Sequence, residues 1–109
     1  MAIAYKVLGQ TITSAAGTAT LYTVPAATSA VCSTIVVCNQ AAAAATFRIS
    51  VRPAGAAEIA KHYLAFNTNI NANDSITMTI GITLATTDVI TVTASTANVS
   101  FNLFGSEIS

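Results

Sequence analysis

Charge is what this sequence has least of. Of 109 residues, four are basic and four acidic, 7% in all, and the formal net charge is zero. An average soluble domain carries roughly 25% charged residues. Four Lys and Arg cannot neutralise the phosphates on which nucleic-acid binding rests, so that class of partner is excluded. Tryptophan is absent and aromatic residues make up only 6%, which leaves a carbohydrate-stacking platform with little to stand on. Long apolar runs are missing too. No charge falls between Lys6 and Arg48, but Gly17, Pro25, Asn39 and Gln40 interrupt that stretch, and no run of about 18 to 20 apolar residues remains to span a membrane. The start, Met1 to Lys6, lacks the basic end and long apolar core of a secretory signal, so synthesis and assembly in the cytoplasm are expected.

The parts needed for catalysis or metal binding are equally scarce. There is one histidine, His62, and no nucleophile turn that would bring a serine and a carboxylate to it. The expectation is a strand histidine, exposed or hydrogen-bonded, and no enzyme. Cys32 and Cys38 lie six positions apart with no second pair, which is not a zinc pattern. In one straight strand they are separated by roughly 20 Å at about 3.3 Å per residue, too far to bridge. They are expected as two buried thiols on one strand face. The run Asn71-Ala72-Asn73-Asp74 lacks the glycine and distal glutamate of a calcium loop and suits a turn capped by its own side chains. No cofactor is implied.

What is present is alternation. Ile76, Met78, Ile80, Ile82 and Leu84 share one parity, and Ser75, Thr77, Thr79, Gly81 and Thr83 the other, the mark of a half-buried strand with β-branched residues on its wet face. Phe47, Ile49 and Val51, then Ile90, Val92 and Ala94, then Val99, Phe101 and Leu103 repeat the pattern. Residues 31–39 are apolar on both parities and read as a central strand covered on both sides. Strands over residues 3–8, 18–24 and 57–66 bring the total to about eight. Breakers separate them at Gly9-Gln10, Gly17, Pro25, Asn39-Gln40, Pro53-Ala54-Gly55, residues 67–74, Thr86-Thr87-Asp88 and Thr96-Ala97-Asn98. The alanine run 41–45 is too short for a helix and reads as a loop. The prediction is one all-β domain over residues 1–109, an antiparallel β-sandwich or jelly roll.

A surface with so few ionic groups has weak electrostatic protection against association, so much of it is expected to be covered by partners. Three residues stand out as interface candidates. Arg48 and Arg52 share a parity with Ser50, a basic stripe able to fork onto carboxylates of a partner or simply to face solvent opposite Glu58. Phe104 falls on the parity opposite Phe101 and is expected on an exposed, partner-facing surface.

The order of several short segments also carries a resemblance. Leu21-Tyr22-Thr23-Val24-Pro25, residues 33–39, residues 70–74, Gly81-Ile82-Thr83-Leu84 with Asp88-Val89-Ile90, and residues 104–108 follow one another as in the small β-sandwich virion proteins of tailed bacteriophages and cyanophages, which this chain resembles from about Ala19 to Ile108. Where many such proteins carry glycine before Asp88, this chain has Thr87. The resemblance implies no catalytic residues and a place on a virion. The first reading is a capsid decoration (cement) subunit bound to the major capsid protein. The second is a module of the tail, baseplate or fibre among tail proteins. Homo-oligomers, including trimers, fit either site. A glycan-binding adhesion module is the reading from another class.

Overall fold

Alternating apolar and hydroxyl side chains pack one face and wet the other, and eight strands result. The computed structural model describes residues 2–109. Within them lie β1 (Ile3–Ile12), β2 (Gly17–Thr23), β3 (Ser29–Asn39), β4 (Ala45–Arg52), β5 (Tyr63–Ile70), β6 (Asp74–Leu84), β7 (Val89–Ala94) and β8 (Val99–Ile108).

The pairing scheme is that of a long ribbon folded at its middle. β4 pairs with β5, β3 with β6, β2 with β7 and β1 with β8, all antiparallel. Further β3–β8 and β4–β7 pairings roll the ribbon into two four-stranded sheets, ordered β1-β8-β3-β6 and β2-β7-β4-β5. This is a jelly roll, a double-sheet arrangement of two Greek keys. Between the sheets Phe47 and Phe101 meet edge to face, centroids 6.2 Å apart, among Ile35, Ile49, Ile70, Leu84, Ile90 and Leu103. Each such side chain contributes about 1.5–3 kcal/mol when fully buried.

Several expectations from sequence are corrected. β3 is central in its sheet, but its two-sided apolar pattern comes from a bulge: the register shifts between Cys32 and Thr34 against both neighbours. Ala30 and Cys32 are buried before the bulge and Ile35 and Val37 after it, so the inward parity switches. The two cysteines therefore lie on opposite faces, Cys32 buried and Cys38 half-buried, both free thiols. Burial pushes the Cys32 thiol up to about 11.

The strand expected at 57–66 forms instead at Tyr63–Ile70. Pro53 opens a short 3-10 turn in which Ala54 is left-handed at φ 53°, and a second turn spans Ala60–His62. His62 is thus not on a strand; it is buried, and its Nδ1 accepts the Ile59 N–H at 3.3 Å. Asn67, read as a breaker, sits inside β5 at φ 50°, where the register against β4 shifts instead of ending. Gly9 likewise lies inside β1 beside a register shift. A Cβ at Gly9 would stand 2.2 Å from the Leu21 carbonyl oxygen, so the glycine lets β2 cross closely over β1.

The loops fall into two clusters. Residues 13–16, 40–44, 71–73 and 95–98 meet at one end, tied by Gln40 N–H to Asn98 O, Asn73 N–H to Ala41 O and Asn98 N–H to Thr13 O. Buried Asn39 pins this end by donating to Ala43, Ile70 and Asn71 carbonyls and accepting the Ala41 N–H. Residues 24–28, 53–62 and 85–88 meet at the other.

Candidate interaction faces

The outer face of the β1-β8-β3-β6 sheet can be laid out row by row from the registers. Ile3 stands beside Ile108 and Ser29, Tyr5 beside Ser106 and Val31, and Val7 beside Phe104 and Thr34. Farther along come Gln10, Asn102, Val36 and Thr77, then Ile12, Ser100, Cys38 and Ser75. Among the described residues none on this face is charged. Its apolar side chains are nevertheless open: Tyr5 is 84% exposed, Ile3 50%, Val7 47% and Val31 38%. Phe104, predicted to face outward, lies in the middle of this cluster and is half-buried by its neighbours.

β1 reverses the usual polarity of a half-buried strand. Ile3, Tyr5, Val7 and Ile12 point to solvent and only Leu8 packs against the core, while Lys6 lies on the inward parity and reaches Glu107 of β8, Nζ to Oε1 2.6 Å. Tyr22, from the other sheet, donates its hydroxyl to the second carboxylate oxygen at 2.5 Å. The contact with Lys6, then that with Tyr22, holds the Glu107 carboxyl below its ordinary value. Burial, reinforced by the same carboxylate, pushes the Tyr22 phenol above its ordinary range. The trio draws the one ion pair among the described residues off the outer face.

The opposite sheet carries the basic stripe. Arg48, Ser50 and Arg52 do share one side of β4, and the 53–62 loop folds back over them. Ser50 and Tyr63 both donate hydroxyl hydrogen bonds to the Glu58 carboxylate, Tyr63 at 2.9 Å. The Ser50 bond first, then Tyr63 and the flanking guanidinium groups of Arg52 and Arg48, hold the Glu58 carboxyl below its usual value against the opposing effect of burial. Arg48 lies with its guanidinium carbon 4.1 Å from the Phe66 ring centroid and donates from Nε to Asn67 Oδ1 at 2.7 Å. Arg52 donates to Thr91 Oγ1 at 3.1 Å and to the Ala56 carbonyl at 3.3 Å. Both arginines are engaged by their own chain.

The three candidates from sequence therefore do not form one surface. Arg48 and Arg52 belong to one sheet and Phe104 to the other. Sequence reasoning missed Ile3, Tyr5, Val7 and Val31. The signal was present, since Ile3, Tyr5 and Val7 share a parity, but the binary pattern assigns that parity to the core and Lys6 to water.

No family model matches this chain, and no curated protein matches it. Solved structures do. The chain is similar to the crystal structure of the T13 particle of infectious bursal disease virus, with a TM-score of 0.62 at 12% identity. It is also similar to the structure of that virus's Gx strain (0.50, 12%) and to the crystal structure of its VP2 subviral particle (0.51, 11%). What they share is the fold. In each case 97% of this chain is covered, against 30%, 30% and 32% of the viral chain, so it spans less than a third of the length of those proteins.

Proposed function

We propose that this chain is a non-enzymatic structural subunit of a virus particle. In the finer form of the reading it is a decoration (cement) subunit that seats on the assembled head of a tailed phage. The observation that carries the reading is the outer face of β1-β8-β3-β6, uncharged and set with exposed Tyr5, Ile3, Val7 and Val31 around Phe104. Exposed apolar clusters of this kind mark protein–protein contact, and tyrosine is over-represented among residues that dominate binding energy. The likeness of the jelly roll to chains of virus particles supports a place in a shell. The engaged state of Arg48 and Arg52 favours the apolar face over the basic stripe as the docking surface.

The mechanism follows from mass action. A subunit that binds the assembled shell and not its dissociated parts stabilises the assembly by RT ln(1 + [L]/Kd), about 2.7 kcal/mol per site when free subunit exceeds Kd a hundredfold.

Purified particles test this directly. On a denaturing gel the subunit should appear at a stoichiometry near that of the major shell protein, and Tyr5→Ser or Phe104→Ser should lower its occupancy while the isolated fold persists. Recovery in tens of copies or fewer would move the assignment to the tail, baseplate or fibre. Absence from particles would reject it.

A further inference from the structure

The free edges of the two sheets differ in how they are guarded against pairing with another strand. β1 carries Lys6 and an irregularity after Val7. β2 is seven residues long with a register shift at Leu21. β5 bends at left-handed Asn67 and slips twice against β4. β6 is the longest edge, eleven residues hydrogen-bonded to β3 alone, with no charge and no proline from Ser75 to Leu84. Every second residue of such a strand turns its N–H and C=O outward, a template for one more strand. On its inner side Ile76, Met78, Ile80 and Ile82 pack on the core yet remain half-exposed.

We propose that β6 pairs antiparallel with β6 of a second copy of this chain, about a two-fold axis through Thr79, joining two β1-β8-β3-β6 sheets into one of eight strands. The strand reads alike in both directions about that residue. On the core side Met78 faces Ile80 and Ile76 faces Ile82; on the outer side Thr77 faces Gly81 and Ser75 faces Thr83. Apolar groups meet apolar groups, hydroxyls meet hydroxyls or glycine, and no like charges are opposed. Asp74 falls at the strand end, about 33 Å from its own copy at about 3.3 Å per residue. A charged partner strand finds no complement here, whereas the chain's own β6 does. An eleven-residue edge runs about 36 Å. The outer face of the joined sheet stays open, so the pairing is independent of attachment to a particle.

Light scattering on the purified chain at micromolar concentration tests the pairing. The wild type should show twice the mass of one chain. Thr79→Lys, an exposed substitution that sets like charges across the axis, should halve it with an unchanged circular dichroism spectrum, and mixing Thr79→Lys with Thr79→Glu should restore it. Thr77→Lys combined with Gly81→Lys, positions that face each other across the axis and where a Cβ at Gly81 meets nothing within 4 Å, is the independent variant and carries the same expectation. Amides from Ile76 to Thr83 should exchange faster in either lysine variant than in the wild type. A wild type at the mass of one chain, a lysine variant that keeps the doubled mass, or an open series of larger species would each overturn the proposal, because a two-fold contact closes on itself.

Discussion

The carboxylate of Asp88 accepts the backbone N–H of Ala54 at 2.8 Å, across 34 residues of sequence. Its second oxygen accepts the Ala85 N–H at 2.9 Å within its own turn. One side chain thereby fastens the loop after β4 to the loop after β6, at the end where Val24 and Asp88 also exchange a backbone bond. Asp88→Ala should cost about 1–3 kcal/mol, because two donors lose a charged acceptor. The denaturant midpoint should fall with the slope unchanged, and Asp88→Asn should lose part of that amount.

Beside it, Thr87 occupies the left-handed region at φ 66°, where a β-branched residue is strained. The resemblance to proteins with glycine at this position marked the turn as unusual, and the backbone gives the reason. Thr87→Gly should raise stability by about 1 kcal/mol, the strain of a left-handed L-residue being roughly 1–2 kcal/mol and partly offset by the greater freedom of unfolded glycine. Thermal melting of the two proteins side by side checks the sign.

Gly105 is required for a different reason. A Cβ there would stand 2.1 Å from the Val31 carbonyl oxygen and 2.9 Å from the Cys32 Cα, backbone that cannot swing away. Gly105→Ala should therefore destabilise at or above the upper end of the roughly 1–3 kcal/mol typical of overpacking. The loss should be measurable by urea titration, and Gly81→Ala, where a Cβ meets nothing within 4 Å, is the control expected to change little.

Acid should weaken the fold through Glu58 and Glu107. Both carboxyls are held below their ordinary value of 4.5, Glu58 first by Ser50 and Glu107 first by Lys6. A lowered folded pKa means the unfolded chain binds protons more readily, so the contribution is complete above 4.5 and is lost as pH falls through the folded values. Denaturant midpoints followed from about pH 6 to about pH 3 should decline. Glu58→Gln should make the decline shallower, and an unchanged slope would remove Glu58 from the account.

The class of fold was legible because period two is a property of the strand itself: Ile76 to Leu84 alternate in the structure as in the sequence. What was not legible came from places where one residue breaks the period. Ser33 and Thr34 shift β3, so Cys32 and Cys38 part to opposite faces. Asn67 bends β5 without ending it. The exposed face was hidden by Lys6, whose inward side follows from Glu107, 101 positions farther along the chain, and from Tyr22, 16 positions farther and in the other sheet. No local pattern carries such a contact.

The folded-ribbon pairing also constrains how the chain is made. β8 is the last of the eight strands in chain order, yet it sits in the middle of its sheet, between the first strand and the third. A nascent chain can close the β4–β5 hairpin early, but β1 must wait for all six strands between it and β8 to be made before it finds β8. Pairings this distant in sequence are slow to close, and a molecule dominated by them folds in milliseconds to seconds. Loss of Val99–Ile108 would leave β1 and β3 both without their shared neighbour, so no part of the β1 pairing stands in reserve before the eighth strand arrives.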